Sequence, residues 1–148
     1  AHLLGFSDGG NLALTVALAH PERGQSLILN GANLNPGGVK LSTQLPIVLG
    51  YGCCRLLSPF SHKARQNGAL LGLMVNHPHI PPQALAALTM PALVIVGERD
   101  MIRHSQLIAR SLPNAQFVRI PGGDHFCAAK CPEVFNHAVL SFLQNLPA

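Results

Sequence analysis

The chain has 148 residues, 48% of them apolar and only 11% charged. That is enough to bury a sizeable core in one domain and is the reverse of a disordered composition. Its formal charge of +4 comes from ten basic residues scattered singly from Arg23 to Lys130, with no tryptophan, so no basic track with interleaved aromatics marks nucleic-acid binding. The four cysteines pair as neighbours (Cys53, Cys54) or at helical spacing (Cys127, Cys131), which makes no disulfide framework. With no signal peptide visible, they read as free thiols in a reducing compartment, and a cytoplasmic location is expected. The longest apolar stretches, such as GALLGLMV, are too short to span a bilayer, so no membrane partner is expected.

In chain order, HLLGF reads as a short buried strand. Gly9 to His20 is almost wholly apolar and predicts a helix buried on most faces, ended by Pro21. Ser26 to Ala32 is a second buried strand, followed by the loop NLNPGG. From about Leu41 to Leu88, short helical stretches are expected, broken by Pro46, Gly50, Pro59, Gly68, Pro78 and the Pro81-Pro82 pair. PALVIVGERD contains the cleanest strand, entered at Pro91 and left at Gly97. HSQLIARSL is an amphipathic helix, AQFVRI an edge-like strand, and PEVFNHAVLSFLQNL a final amphipathic helix starting at Pro132.

This alternating order, with buried runs lacking period-two alternation, predicts an α/β fold with a mostly parallel sheet and helices on both faces. The core is assigned to residues 1–33 and 89–148. Residues 34–88 are too long for a simple crossover and read as a helical excursion over one end of the sheet. The chain opens on Ala1 without an initiator methionine, already in a strand, and is expected to be part of a longer protein.

The chemistry centres on GFSDGG. Ser7 lies in a Gly-x-Ser-x-Gly between a strand and a helix, the context in which such a serine is exposed on a sharp turn as a nucleophile. Gly5 and Gly9 are expected to spare collisions where strand and helix approach, and the helix N-terminus faces a developing oxyanion. Serine needs a base, and the base needs an acid to fix its tautomer. Asp100 follows the strand ALVIVG and His125 follows the last strand in IPGGDHF, each where a loop at a strand's carboxyl end reaches a common site. Glu98 is still leaving its strand, Asp124 points away from its neighbour His125, and only Asn30 and Asn33 follow the second strand. The bland readings are Asp100 as a turn acid and His125 as one of eight histidines. Metal binding is not expected, because His125, Cys127 and Cys131 lack paired Cys-x-x-Cys spacing and His77-Pro78-His79 lacks nearby partners; no cofactor is expected either.

GFSDGGNLAL, HPERGQSLILNGANL, MPALVIVGERDMI, IPGGDHF and PEVFNHAVLSFL together resemble the C-terminal part of an α/β-hydrolase-fold protein. GFSDGG and the later GAN are most similar to the valacyclovir hydrolase (biphenyl-hydrolase-like) branch and related bacterial hydrolases. The resemblance implies a serine hydrolase of a small ester, amide or lactone, with Ser7 as nucleophile, Asp100 as acid and His125 as base. It implies that residues 34–88 are the lid and that the Asp8 backbone N–H is one oxyanion donor. Phe6 and Asp8 are candidate substrate contacts. Asp8 is open to two readings, recognition of a substrate ammonium group or a helix N-terminal acid stabilised by the dipole. The family's second oxyanion donor comes from a loop after an earlier strand that this chain does not include, so weak or no activity is expected of the chain alone. Two further expectations follow: an open sheet edge available for self-association, and, as the rival to an enzyme, a non-catalytic half-domain that binds a partner.

Overall fold

A computed structural model describes residues 1–147. Four strands, β1 (His2–Phe6), β2 (Ser26–Asn30), β3 (Ala92–Gly97) and β4 (Ala115–Ile120), form one sheet in sequence order. Every neighbouring pair is parallel: Leu4 sits opposite Ile28, Leu29 opposite Val94 and Val94 opposite Phe117. A sheet that advances in one direction through right-handed crossovers must carry its connections on one face. That face holds α1 (Asp8–Ala19), the short 3-10 segment Pro82–Ala87 and α4 (Ser105–Ser111). The other face is covered by α5 (Cys127–Lys130) and α6 (Pro132–Gln144).

The central strands explain the absence of alternation in the sequence. All residues of β2 and β3 are buried, because both sheet faces are covered. Leu27 and Leu29 point to the α1 face with Leu14, Ala17, Val94 and Ile108. Ile28, Leu93 and Ile95 point to the α6 face with Phe135 and Phe142, which are one heptad apart on that helix. Each fully buried leucine or isoleucine here contributes about 1.5–3 kcal/mol through burial.

The edges correct two expectations. β1 is not a buried strand: it is the sheet edge, with Leu4 54% and Phe6 39% exposed. Likewise α1 is not buried on most faces, since Leu12 is 64% exposed and only Gly10, Asn11, Leu14 and Ala17 are buried along it. Leu12 lies on the side of α1 turned away from the buried Leu14 and Ala17, where it borders a groove with Leu73, His77 and Pro78.

The middle of the chain also differs from expectation. Pro46, Gly50 and Gly68 do not break helices; they lie inside two long ones, α2 (Leu41–Leu57) and α3 (His62–Asn76). The helices form an antiparallel hairpin, and the glycines sit where they touch. A Cβ on Gly50 would lie 3.4 Å from Leu71, one on Gly68 3.3 Å from Cys54, and one on Gly72 3.1 Å from Tyr51. Small residues there allow close backbone approach, which offsets their low helix propensity. Pro59 does fall between the helices, and Ser61 caps α3 by accepting the Ala64 N–H at 3.2 Å. Among the described residues, no helix is long and apolar enough to cross a membrane.

Candidate active site

The loops after all four strands open at one end of the sheet, where parallel strands converge on a site. Ser7 lies at the turn from β1 into α1 with φ 53° and ψ −121°. A positive φ is rare outside glycine and stores strain that the surroundings must hold in place. Here the Ser7 N–H donates to the Asn30 carbonyl at 2.8 Å, while the Ser7 carbonyl accepts from Gly10 and Asn11 N–H groups at 2.9 and 3.1 Å. The turn is therefore pinned to β2 on one side and to the first turn of α1 on the other.

Gly5 is required for this approach, since a Cβ there would lie 2.6 Å from the Gly10 backbone nitrogen. Gly9 is not, contrary to expectation: a Cβ at that position meets open space. The close contact belongs to Gly10, whose Cβ would come within 2.9 Å of the Ala32 Cβ.

The structure brings Ser7, His125 and Asp100 together from loops as much as 118 residues apart. His125 Nε2 lies 3.0 Å from Ser7 Oγ, and its Nδ1 lies 2.9 Å from Asp100 Oδ1. An ionised carboxylate only accepts, so it sets the imidazole proton on Nδ1 and leaves Nε2 to accept the serine O–H. Asp100 Oδ1 also accepts the Ile102 N–H at 2.9 Å, which fixes the carboxylate's orientation. Both His125 and Asp100 are buried, with side chains 9% and 1% exposed. Gly31, at φ +63° after β2, clears their path: a Cβ there would come within 2.9 Å of the imidazole and 3.2 Å of Asp100 Oδ2.

The Asp8 N–H opens the first turn of α1 and has no acceptor among the described residues, as expected of an orphan donor at a helix start. The Asp8 side chain is exposed and accepts from Asn11 Nδ2 at 3.2 Å. Asp124 takes no part in the site. Its carboxylate accepts the Phe126 N–H at 2.9 Å and pairs with Lys130, which holds it below the ordinary carboxylate range. Glu98 accepts the Gly122 N–H at 2.8 Å and so ties the β3 loop to the loop that carries His125. His77 and His79 meet edge to face at 6.1 Å. Among the described residues no cluster of three metal-ligating side chains forms.

Three features escaped the sequence reading. Asn11 and Asn33 form a buried amide pair: Asn11 Nδ2 donates to Asn33 Oδ1 at 2.9 Å, and the Asn33 N–H donates to Asn11 Oδ1 at 2.8 Å. The pair clamps α1 to the loop after β2 directly beneath Asp8. Phe126 stands 5.5 Å from His125 and 5.9 Å from Phe6, which is itself 4.9 Å from His125, so two rings flank the imidazole. His104 accepts the Leu34 N–H through Nδ1 at 3.2 Å, and burial holds its pKa below the ordinary value. An unpaired asparagine, phenylalanine or histidine carries no motif, so only the aromatic residue next to His125 offered any sequence signal.

Above Ser7 lies a cavity of about 250 Å³. Its walls are largely apolar, with Val39, Ile47, Met74, Met101 and Phe126 around Ser7, Asp8 and His125. Ile47 and Met74 come from α2 and α3, so the hairpin roofs the site.

No family model matches the chain. Among curated proteins it is similar to "Putative carbamate hydrolase RutD" of Caulobacter segnis, 28% identical over 183 residues that cover 98% of this chain and 66% of that protein. Protein ABHD14A of Rattus norvegicus is 38% identical over a shorter stretch of 63 residues, 41% of this chain and 26% of that protein. The chain thus spans just under two thirds of the length of the relative it matches end to end. Among solved structures, the meta-cleavage product hydrolase CumD of Pseudomonas fluorescens superposes with a TM-score of 0.73 at 22% identity, over 99% of this chain and 65% of that one. A thermophilic esterase of Thermogutta terrifontis gives 0.71 at 23% identity, over 97% and 64%. At such identities the superpositions establish the fold.

Proposed function

We propose that this chain, an α/β-hydrolase-fold protein, carries the nucleophile, base and acid of a serine hydrolase that cleaves a small ester or a related amide, lactone or carbamate. The single observation behind this reading is the unbroken hydrogen-bond chain from Ser7 Oγ through His125 to Asp100 Oδ1, at 3.0 and 2.9 Å. Its support among relatives is coarser: the relative matched over 98% of this chain is named "Putative carbamate hydrolase RutD", and two superposed structures are a hydrolase and an esterase.

Ser7 Oγ attacks the carbonyl carbon as its proton passes to His125 Nε2. Asp100 holds the imidazole in place and stabilises the imidazolium that forms. The new oxyanion takes the Asp8 N–H at the positive end of α1. Collapse of the tetrahedral intermediate expels the alcohol, which leaves with the proton from Nε2, and Ser7 retains the acyl group. Water, deprotonated by His125, then releases the acid by the reverse steps. The described residues supply one oxyanion donor. Because one such donor is worth on the order of a hundred- to a thousand-fold in rate, slow turnover is the expectation.

The cavity of about 250 Å³ is small, and its apolar lining suits a short acyl or alcohol group. Residues 34–88 act as the lid in this reading, with Ile47 and Met74 shaping the pocket. Phe6 and Phe126 form the wall beside the imidazole. Asp8 serves first as the acid at the N-terminus of α1, held by Asn11. Purified chain should hydrolyse p-nitrophenyl acetate slowly, and Ser7→Ala should abolish that turnover. Turnover that survives Ser7→Ala would refute the assignment.

A second reading is favoured by the exposed Leu4 and Phe6 of the edge strand β1. That surface suits pairing with further polypeptide, a second copy included. Sedimentation that stays monomeric at high concentration, with no capture of added strand, would exclude it.

A further inference from the structure

We propose that the free end of the α2–α3 hairpin docks on an anionic lipid surface. This does not depend on the hydrolase reading. It departs from the expectation of no membrane partner, which rested on the length needed to span a bilayer and not on surface contact.

The first observation is the placement of charge. Residues 34–88 contain Lys40, Arg55, Lys63 and Arg65 and not one acid, while the remaining six basic residues are matched by six acids. The whole formal charge of +4 therefore resides in the excursion. Among the described residues none of these cations meets a carboxylate. The arginines are nonetheless held at the tip: the Arg55 guanidinium lies 5.9 Å from the Tyr51 ring centroid, and Arg65 donates to the Ser58 carbonyl at 3.4 Å.

The second observation is the apolar surface at the same end of the hairpin. At the tip, Leu56 is 77%, Leu57 56% and Phe60 87% exposed. Along α2, Leu41, Leu45, Leu49 and Leu56 recur at spacings that put them on one stripe. They point away from the face where Gly50, Tyr51 and Cys54 meet α3, and α2 has no fully buried residue. Its apolar face is thus turned outward.

Exposed Leu and Phe at a tip that also carries three cations without carboxylate partners, and no acid, match a surface that sinks its apolar groups to the headgroup boundary and keeps its charges among anionic headgroups. A second copy fits worse, because a two-fold contact through the tip would set Arg55, Lys63 and Arg65 against their own equivalents. None of the tip residues lines the cavity over Ser7.

The test is flotation of the full chain with vesicles of phosphatidylcholine alone and of phosphatidylcholine mixed with phosphatidylglycerol. Binding to the mixed vesicles only is expected, weakening with added salt. Replacing Arg55, Lys63 and Arg65 with Gln should weaken it about a hundredfold, at roughly fivefold per charge removed. The charge-keeping pair Arg55→Lys and Arg65→Lys should retain binding, and Leu56→Gln with Phe60→Ser should lose it. Far-UV circular dichroism should match wild type throughout. Absent binding, equal binding to neutral vesicles, or binding undiminished in the Gln variant would overturn the proposal. So would a Phe60-dependent dimer without vesicle binding, which would assign the tip to a second copy.

Discussion

Replacing Gly31 with alanine isolates the geometry of the site from its chemistry, because Gly31 donates nothing to the reaction. Two penalties arise. The backbone at φ +63° is left-handed, which costs an L-residue about 1–2 kcal/mol. The new methyl would also stand 2.9 Å from the His125 ring and 3.2 Å from Asp100 Oδ2, well inside van der Waals contact. The imidazole has to give way, since the strand end behind Gly31 is fixed by its N–H bond to the Ile95 carbonyl at 3.2 Å. For a chain of this size the backbone term alone lowers Tm by roughly 2–4 °C per kcal/mol. A ring displaced by about 1 Å loses its alignment with Ser7, which costs about a hundredfold in reactivity. The assay pairs thermal unfolding with the second-order rate of fluorophosphonate labelling. Gly9→Ala serves as the control, because its methyl meets open space and alanine favours helix. A Gly31→Ala chain that labels at the wild-type rate would show that Gly31 does not clear space for the imidazole, as would equal losses in both variants.

Asn11→Ala should destabilise the chain by about 2–6 kcal/mol, because it orphans the buried Asn33 N–H and Oδ1 at about 1–3 kcal/mol each; chemical denaturation measures it, and a loss below that of an exposed substitution would contradict the clamp. His104 is neutral when it accepts the Leu34 N–H, and burial depresses its pKa from 6.5. The unfolded chain therefore takes up this proton first, so the contribution of His104 is full above pH 6.5 and is lost as pH falls below it toward the folded value. His104→Asn, which keeps an acceptor that does not titrate, should flatten the fall in stability on the acid side of that pH; an unchanged slope would rule His104 out as its source.

Much of the fold was legible because β2 and β3 are apolar without alternation and their helices carry clear stripes, Phe135 and Phe142 among them. The meeting of Ser7, Asp100 and His125 was legible because each stands in the loop that follows a strand, and chain order then limits the partners. Burial of β1 and α1 was not legible for a physical reason: an apolar run states that covering is favourable, and not which of its residues meet a neighbour. Pro46, Gly50 and Gly68 were misread because propensity is local, whereas the contact between α2 and α3 that favours glycine is not. The error at Gly9 was similar, since the choice between Gly9 and Gly10 depends on where Ala32 lies. The Asn11–Asn33 clamp left no trace in the sequence because it joins residues 22 positions apart that no motif links.

Activation of Ser7 by His125 is open to covalent labelling. Incubated with a fluorophosphonate probe and mapped by peptide mass spectrometry, the chain should carry a single adduct on Ser7. The adduct should vanish in Ser7→Ala and form far more slowly in His125→Ala. No adduct, an adduct on another residue, or undiminished labelling of His125→Ala would contradict a nucleophilic Ser7 served by His125.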